Sequence, residues 1–139
     1  MSIEMNKEKW SNSSKRSYAY SQSKDTHYED FEYFCVKCRC RCVFFAEDQK
    51  IEYEENQRFI WYKKTLCANC QFQIGALREK DKQFQKRWGT NKKLLRTDPQ
   101  FLNDWITVLE DFATYGKKSN HDLIATLHKL ASRCIQYEI

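Results

Sequence analysis

The chain has 139 residues, 31% of them charged and 41% hydrophobic, with 24 Lys and Arg against 19 Asp and Glu for a formal net charge of +5. That length fits one compact domain or a small metal module with an appended piece, and so mild a basic excess excludes the strong bias of a dedicated nucleic-acid binder. Three glycines and one proline argue against a turn-rich all-β design and for helix.

The opening Met1-Ser2-Ile3-Glu4-Met5-Asn6-Lys7 lacks the apolar stretch of a secretory signal, so none is expected. No apolar run approaches the ~20 residues that span a bilayer, so no membrane partner is expected. A cytoplasmic location is the default. Thiols stay reduced there, and the seven cysteines read as ligands or thiols before disulfides.

Residues 1–27 are polar and serine-rich, with Trp10, Tyr18 and Tyr20 scattered through them; they read as a flexible arm, whose tyrosines and Trp10 could still dock onto the body. Residues 31–45 read as extended chain, with Phe31, Tyr33 and Phe34 before the first cysteines and Val43, Phe44 and Phe45 after them. Residues 46–55 are helix formers with an acidic first turn. Residues 58–66 look extended again. From Ala68 to Trp88, Ile74, Leu77, Phe84 and Trp88 recur at helical spacing, and Gly89 is the expected stop. Thr97-Asp98-Pro99 starts a second helix, whose stripe is Phe101, Trp105, Val108, Phe112 and Tyr115, ended by Gly116. Ser119-Asn120-His121-Asp122 resembles a capping box ahead of a third helix with Leu123, Leu127, Leu130 and Cys134 on one face, flanked by Ile124, Ala131 and Ile135. The short link predicts a helix hairpin.

The chemistry lies in Cys35-Val36-Lys37-Cys38 and Cys67-Ala68-Asn69-Cys70. A two-residue gap lets both thiolates of one turn face a common centre, and a second such turn completes a tetrahedral zinc site. Four thiolates leave no position for water, so the expected cofactor is structural Zn2+, its binding energy standing in for a core the first half lacks. A redox pair, two disulfides or an iron–sulfur cluster are the competing readings. Cys40 and Cys42 could replace a ligand or hold a second metal, but read first as ordinary thiols. Cys134 reads as core, His27 as a distant ligand candidate, and His121 and His128 as cap and surface residues.

Tyr28-Glu29-Asp30, Tyr33-Phe34-Cys35-Val36-Lys37-Cys38, Phe44-Phe45-Ala46-Glu47-Asp48-Gln49-Lys50, Tyr53-Glu54 and Cys67-Ala68-Asn69-Cys70 together resemble a bacterial zinc-ribbon domain family. Its pattern runs Tyr-x-Asp, an aromatic, C-x-x-C, a hydrophobic stretch, a Thr-Ala-Glu-x-Gln-like turn into a helix, and a second C-x-x-C. The resemblance spans about residues 28–71. It implies four zinc ligands, carried onto Cys35, Cys38, Cys67 and Cys70, and no catalytic residue. The family commonly has Gly where this chain has Arg39, and Arg or Lys beside the second pair, where this chain has Leu66 and Gln71. The expected organisation is an arm (1–27), a zinc ribbon (28–71) and a helical region (72–139). The fold class is α+β, mainly helical, with short antiparallel strands and about three C-terminal helices.

No nucleotide-binding loop or nucleophile motif occurs, so the expectation is a non-enzymatic protein without a small-molecule substrate. A protein-binding module comes first, one form being an antitoxin or immunity-type protein that neutralises a toxin. Its contact candidates are Phe59, Trp61 and Tyr62 on the insert, with Glu47, Asp48 and Glu52 suited to a basic cleft. The alternative is nucleic-acid binding through the basic stretch 78–96, which contains Arg78, Lys80, Lys82, Lys86, Arg87, Lys92, Lys93 and Arg96.

Overall fold

The computed structural model describes residues 1–137, with side chains through residue 134. The chain divides into two units, Met1–Cys35 with Arg39–Cys67, and Val36–Cys38 with Ala68–Ile139. The class is α+β, mainly helical, with two small antiparallel sheets.

In the first unit β1 (Ser2–Glu4) pairs with β2 (His27–Glu29) in the register Ile3↔Tyr28. β3 (Phe31–Phe34) pairs with β4 (Arg41–Phe44), setting Tyr33 opposite Cys42. Residues 1–27, expected as a flexible arm, fold in this structure into β1, a 3-10 turn at Lys7–Lys9, and two single-turn helices, α1 (Asn12–Lys15) and α2 (Tyr18–Ser21). The physical reason is a shared core. Trp10 is 2% exposed and clusters with Tyr28, Phe44, Ala46, Tyr53 and Ile60. Ile3, Met5, Ala19 and Tyr20 pack against the same cluster, and their combined burial with the β1–β2 ladder works against the entropy of ordering the segment. The half that looked short of a core therefore has one.

Polar groups inside that core are paired. Trp10 Nε1 donates to Tyr28 Oη at 2.8 Å, and Tyr28 Oη donates to Glu54 Oε2 at 2.9 Å. The buried Glu54 also accepts from Asn6 N at 3.1 Å and pairs with Lys50 at 3.0 Å. Burial pushes the Tyr28 and Tyr53 hydroxyls upward, Tyr53 to about 12. Ser14, fully buried, accepts from Ile60 N at 3.0 Å, tying α1 to the insert.

Helix α3 (Ala46–Lys50) starts against Asp30, whose Oδ1 accepts from Ala46 N at 2.8 Å. That bond holds the Asp30 carboxyl below the usual carboxylate range. Gln49 Nε2 donates to Phe44 O at 2.8 Å and to Glu29 O at 2.5 Å, binding the helix to β4 and β2. The helix widens into a π-helical turn at Ile51–Glu55. Residues 58–66 form no ladder; they are an irregular loop with a turn closed by Tyr62 N to Phe59 O at 2.8 Å.

The second unit holds α4 (Ala68–Leu95), α5 (Pro99–Asp111), a 3-10 turn (Phe112–Tyr115) and α6 (His121–Tyr137). Helix α4 passes Gly89, the expected stop, bends at Asn91 (φ −137°) and continues. Thr90 Oγ1 bonds back to Lys86 O and Arg87 O at 3.2 and 3.1 Å, which loosens the helix ladder there, while burial of Leu95 anchors the last turn. Asp98 caps α5 by accepting from Phe101 N at 3.2 Å, with Pro99 in the first turn. Helix α6 is capped by Asn120, whose Oδ1 accepts from Leu123 N at 3.2 Å, one residue later than the expected Ser119. Leu95, Phe101, Leu102, Trp105, Ile106, Leu109, Leu127, Ala131 and Cys134 form the core, with Phe84 and Trp88 stacked on Trp105 and Phe101. The side chain of Ile135, expected on this stripe, lies outside the described residues. No helix among the described residues is long and apolar enough to cross a membrane.

Candidate metal centre

Cys35 follows the end of β3, and Cys38 lies in the turn towards β4. The turn is closed at both ends: Arg39 N donates to Cys35 O, and Cys35 N to Cys40 O, each at 2.9 Å. Closing it puts Arg39 at φ 67°, the left-handed conformation in which glycine is at ease. Cys67 immediately precedes α4, and Cys70 sits in its first turn. The loop before Cys67 is held by Tyr33, whose hydroxyl donates to Leu66 O at 2.9 Å. Burial pushes this phenol up to about 12, with the nearby Cys42, Cys35 and Cys67 adding to the effect.

The four sulfurs of Cys35, Cys38, Cys67 and Cys70 all lie within 4.8 Å of one another. Around a four-coordinate ion with metal–sulfur bonds of about 2.3 Å, tetrahedral sulfurs stand roughly 3.8 Å apart, so this set closes on an ion with side-chain shifts of about 1 Å. Cys35 and Cys70 are buried, Cys67 half-buried and Cys38 exposed. Four thiolates on a divalent ion carry two net negative charges, which the N-terminus of α4 favours. Such a closed set cross-links chain; it offers no open position for a reacting ligand. These residues can hold a metal ion, and no other group of three or more His, Cys, Asp or Glu among the described residues gathers in this way.

The contact candidates are placed unevenly. Phe59 (41% exposed) and Trp61 (63% exposed) stand edge to face with ring centres 5.7 Å apart. Tyr62 is half-buried against the aromatic core, its carbonyl accepting from Tyr53 Oη and its ring lying 4.4 Å under the Arg58 guanidinium. Glu52 pairs with Arg58; Glu47 is exposed and Asp48 half-buried. His128 lies 3.3 Å from Glu110, and His27 2.8 Å from Thr26. Trp88 lies at the core margin, one face on Phe101 and the Lys92 ammonium 5.6 Å from its ring.

Three features escaped the sequence reading. Tyr33 positions the second cysteine pair, and its place opposite Cys42 follows from a register no pattern displayed. Lys37 is fixed by Thr114 Oγ1 at 3.1 Å and the Tyr115 ring at 5.1 Å. Lys129 and Arg133 of α6 join Lys92 and Arg96 around a groove of about 510 Å3 floored by Trp88, Leu123 and Leu130; their four-residue spacing was the available signal. No protein-family model, curated protein or solved structure matches the chain.

Proposed function

We propose that this chain is a non-enzymatic protein-binding module built on a zinc ribbon. A closed set of four soft thiolates suits Zn2+ better than harder ions. The ribbon reading is supported by the roles of the pattern residues: Asp30 starts α3, Gln49 joins α3 to both sheets, and Tyr28 anchors the core. The observation that carries the binding reading is the exposed Phe59–Trp61 pair, with Trp61 63% exposed. Desolvating an indole on a rigid partner surface is a leading source of interface energy. Phe34 (67%) and Phe45 (53%) extend the exposed aromatic character of the same unit. The form carried forward is a bacterial antitoxin or immunity-type protein whose partner is a toxin.

The test is affinity capture from the native host with the wild type and with Phe59→Ala/Trp61→Ala. A stable partner captured by the wild type and lost at least tenfold with the variant supports the reading. Equal capture by both removes the aromatic pair from it.

A second reading, nucleic-acid binding, is favoured by the groove of Lys92, Arg96, Lys129 and Arg133, which no acidic side chain lines. It predicts retention of a single-stranded oligonucleotide that weakens steeply with salt.

A further inference from the structure

Cys40 and Cys42 lie outside the four-sulfur cluster, yet their Sγ atoms stand 3.5 Å apart. Two structural facts bring them together. Cys42 belongs to β4, where Tyr33 opposes it, and Cys40 immediately precedes that strand with its carbonyl held by Cys35 N at 2.9 Å. Residues two apart in extended chain share a face, so the two sulfurs face one another, and closing a bond between them draws the Cβ atoms to about 3.8 Å by a local shift of the chain just ahead of β4. The Cys42 Sγ is also directed back towards the Cys40 carbonyl, 3.6 Å away. Cys40 is exposed, whereas Cys42 is half-buried.

We propose that Cys40 and Cys42 form a redox-active dithiol, a site of reversible oxidation by low-molecular-weight disulfides such as oxidised glutathione. The exposed Cys40 thiolate attacks one sulfur of the glutathione disulfide, forming a mixed disulfide and expelling one glutathione thiolate. The Cys42 thiolate then attacks the Cys40 sulfur of that mixed disulfide. The Cys40–Cys42 bond forms, the bond to glutathione breaks, and the second glutathione thiolate leaves. The protons of the two protein thiols end on the two glutathione molecules, and the two electrons lost by the protein reduce the one disulfide consumed. The difference in exposure assigns the order: Cys40 attacks and Cys42 resolves.

The test uses the full-length, metal-loaded protein incubated with oxidised glutathione, quenched with an alkylating agent and read by intact-mass and peptide mass spectrometry. The expected product has lost two hydrogens, with the linkage between Cys40 and Cys42 and the other cysteines still alkylatable after metal removal. Cys42→Ser should accumulate glutathione on Cys40. Cys40→Ser should consume oxidised glutathione at least about tenfold more slowly than wild type. Both serine variants are compared at equal zinc content, so that loss of the metal does not masquerade as reactivity. The proposal is overturned if oxidation reaches Cys35, Cys38, Cys67 or Cys70 first. It is equally overturned if Cys40 is protected in the metal-loaded protein, or if Cys42→Ser gains no glutathione.

Discussion

Arg39 shows at a single residue what the metal turn demands. Its φ of 67° is imposed by the hydrogen bonds that fold the chain from Cys35 to Cys40 around the sulfurs. A side chain in that region costs about 1–2 kcal/mol, whereas glycine adopts it freely but loses roughly 0.5–1 kcal/mol of unfolded-chain entropy. The difference favours glycine, and the exposed Arg39 side chain is not part of the core. Arg39→Gly should therefore stabilise the metal-loaded protein by about 0.5–1 kcal/mol, read as a higher urea midpoint at unchanged slope. A lower midpoint would mean that the arginine side chain contributes more than its backbone costs. The position was legible in the sequence, since the resembled family commonly has glycine there. The geometry that makes it costly was not, because a positive φ follows from the closed turn and leaves no mark in composition.

At the scale of elements, the three glycines make opposite predictions. Gly75 and Gly89 sit in α4 with nothing within 4 Å of where a Cβ would lie. Alanine at either should stabilise by about 0.5–1 kcal/mol through helix propensity alone. Gly116 ends the 3-10 turn at φ 72°, and a Cβ there would meet Val36 Cγ1 at 2.8 Å. Gly116→Ala should destabilise by about 1–3 kcal/mol, since strain and overlap add. Thermal midpoints of the three variants check the contrast; a fall for Gly89→Ala would show that the bend at Asn91 depends on glycine freedom next to it. Element existence was readable here: the stripe from Phe101 to Tyr115 and the capping at Asp98 are local signals. The end of α4 was not, because buried Leu95 carries the helix beyond a glycine by a tertiary contact. In the same way residues 1–27 are ordered by distant contacts such as Trp10 to Tyr28, 18 positions away; that Trp10 could dock was readable, but its partner was not.

At the scale of the whole molecule, the question is what an ion at the four cysteines would hold. That Cys35, Cys38, Cys67 and Cys70 come together was legible, because two short C-x-x-C gaps are what gather four sulfurs. The role assigned to the ion was not, because it rested on a first half without a core, and Trp10, Tyr28, Phe44 and Tyr53 are each 2% exposed or less. The helical unit likewise buries Leu102, Trp105 and Leu127 to 1% or less. Apolar burial of that kind does not itself depend on an ion, so it is expected to outlast exchange of the ion for protons. Removing the metal should then open the chain locally. Amide exchange should quicken around Cys35–Cys40 and Leu66–Ile74, where backbone is held by the sulfur turns, and stay slow in Leu102–Leu109 and Leu127–Ala131. Far-UV dichroism should keep most of its helical signal after chelation, while the thermal midpoint falls. Loss of protection throughout both cores on chelation would instead show that neither cluster is stable without the ion, and that the metal is the nucleus on which this sequence folds.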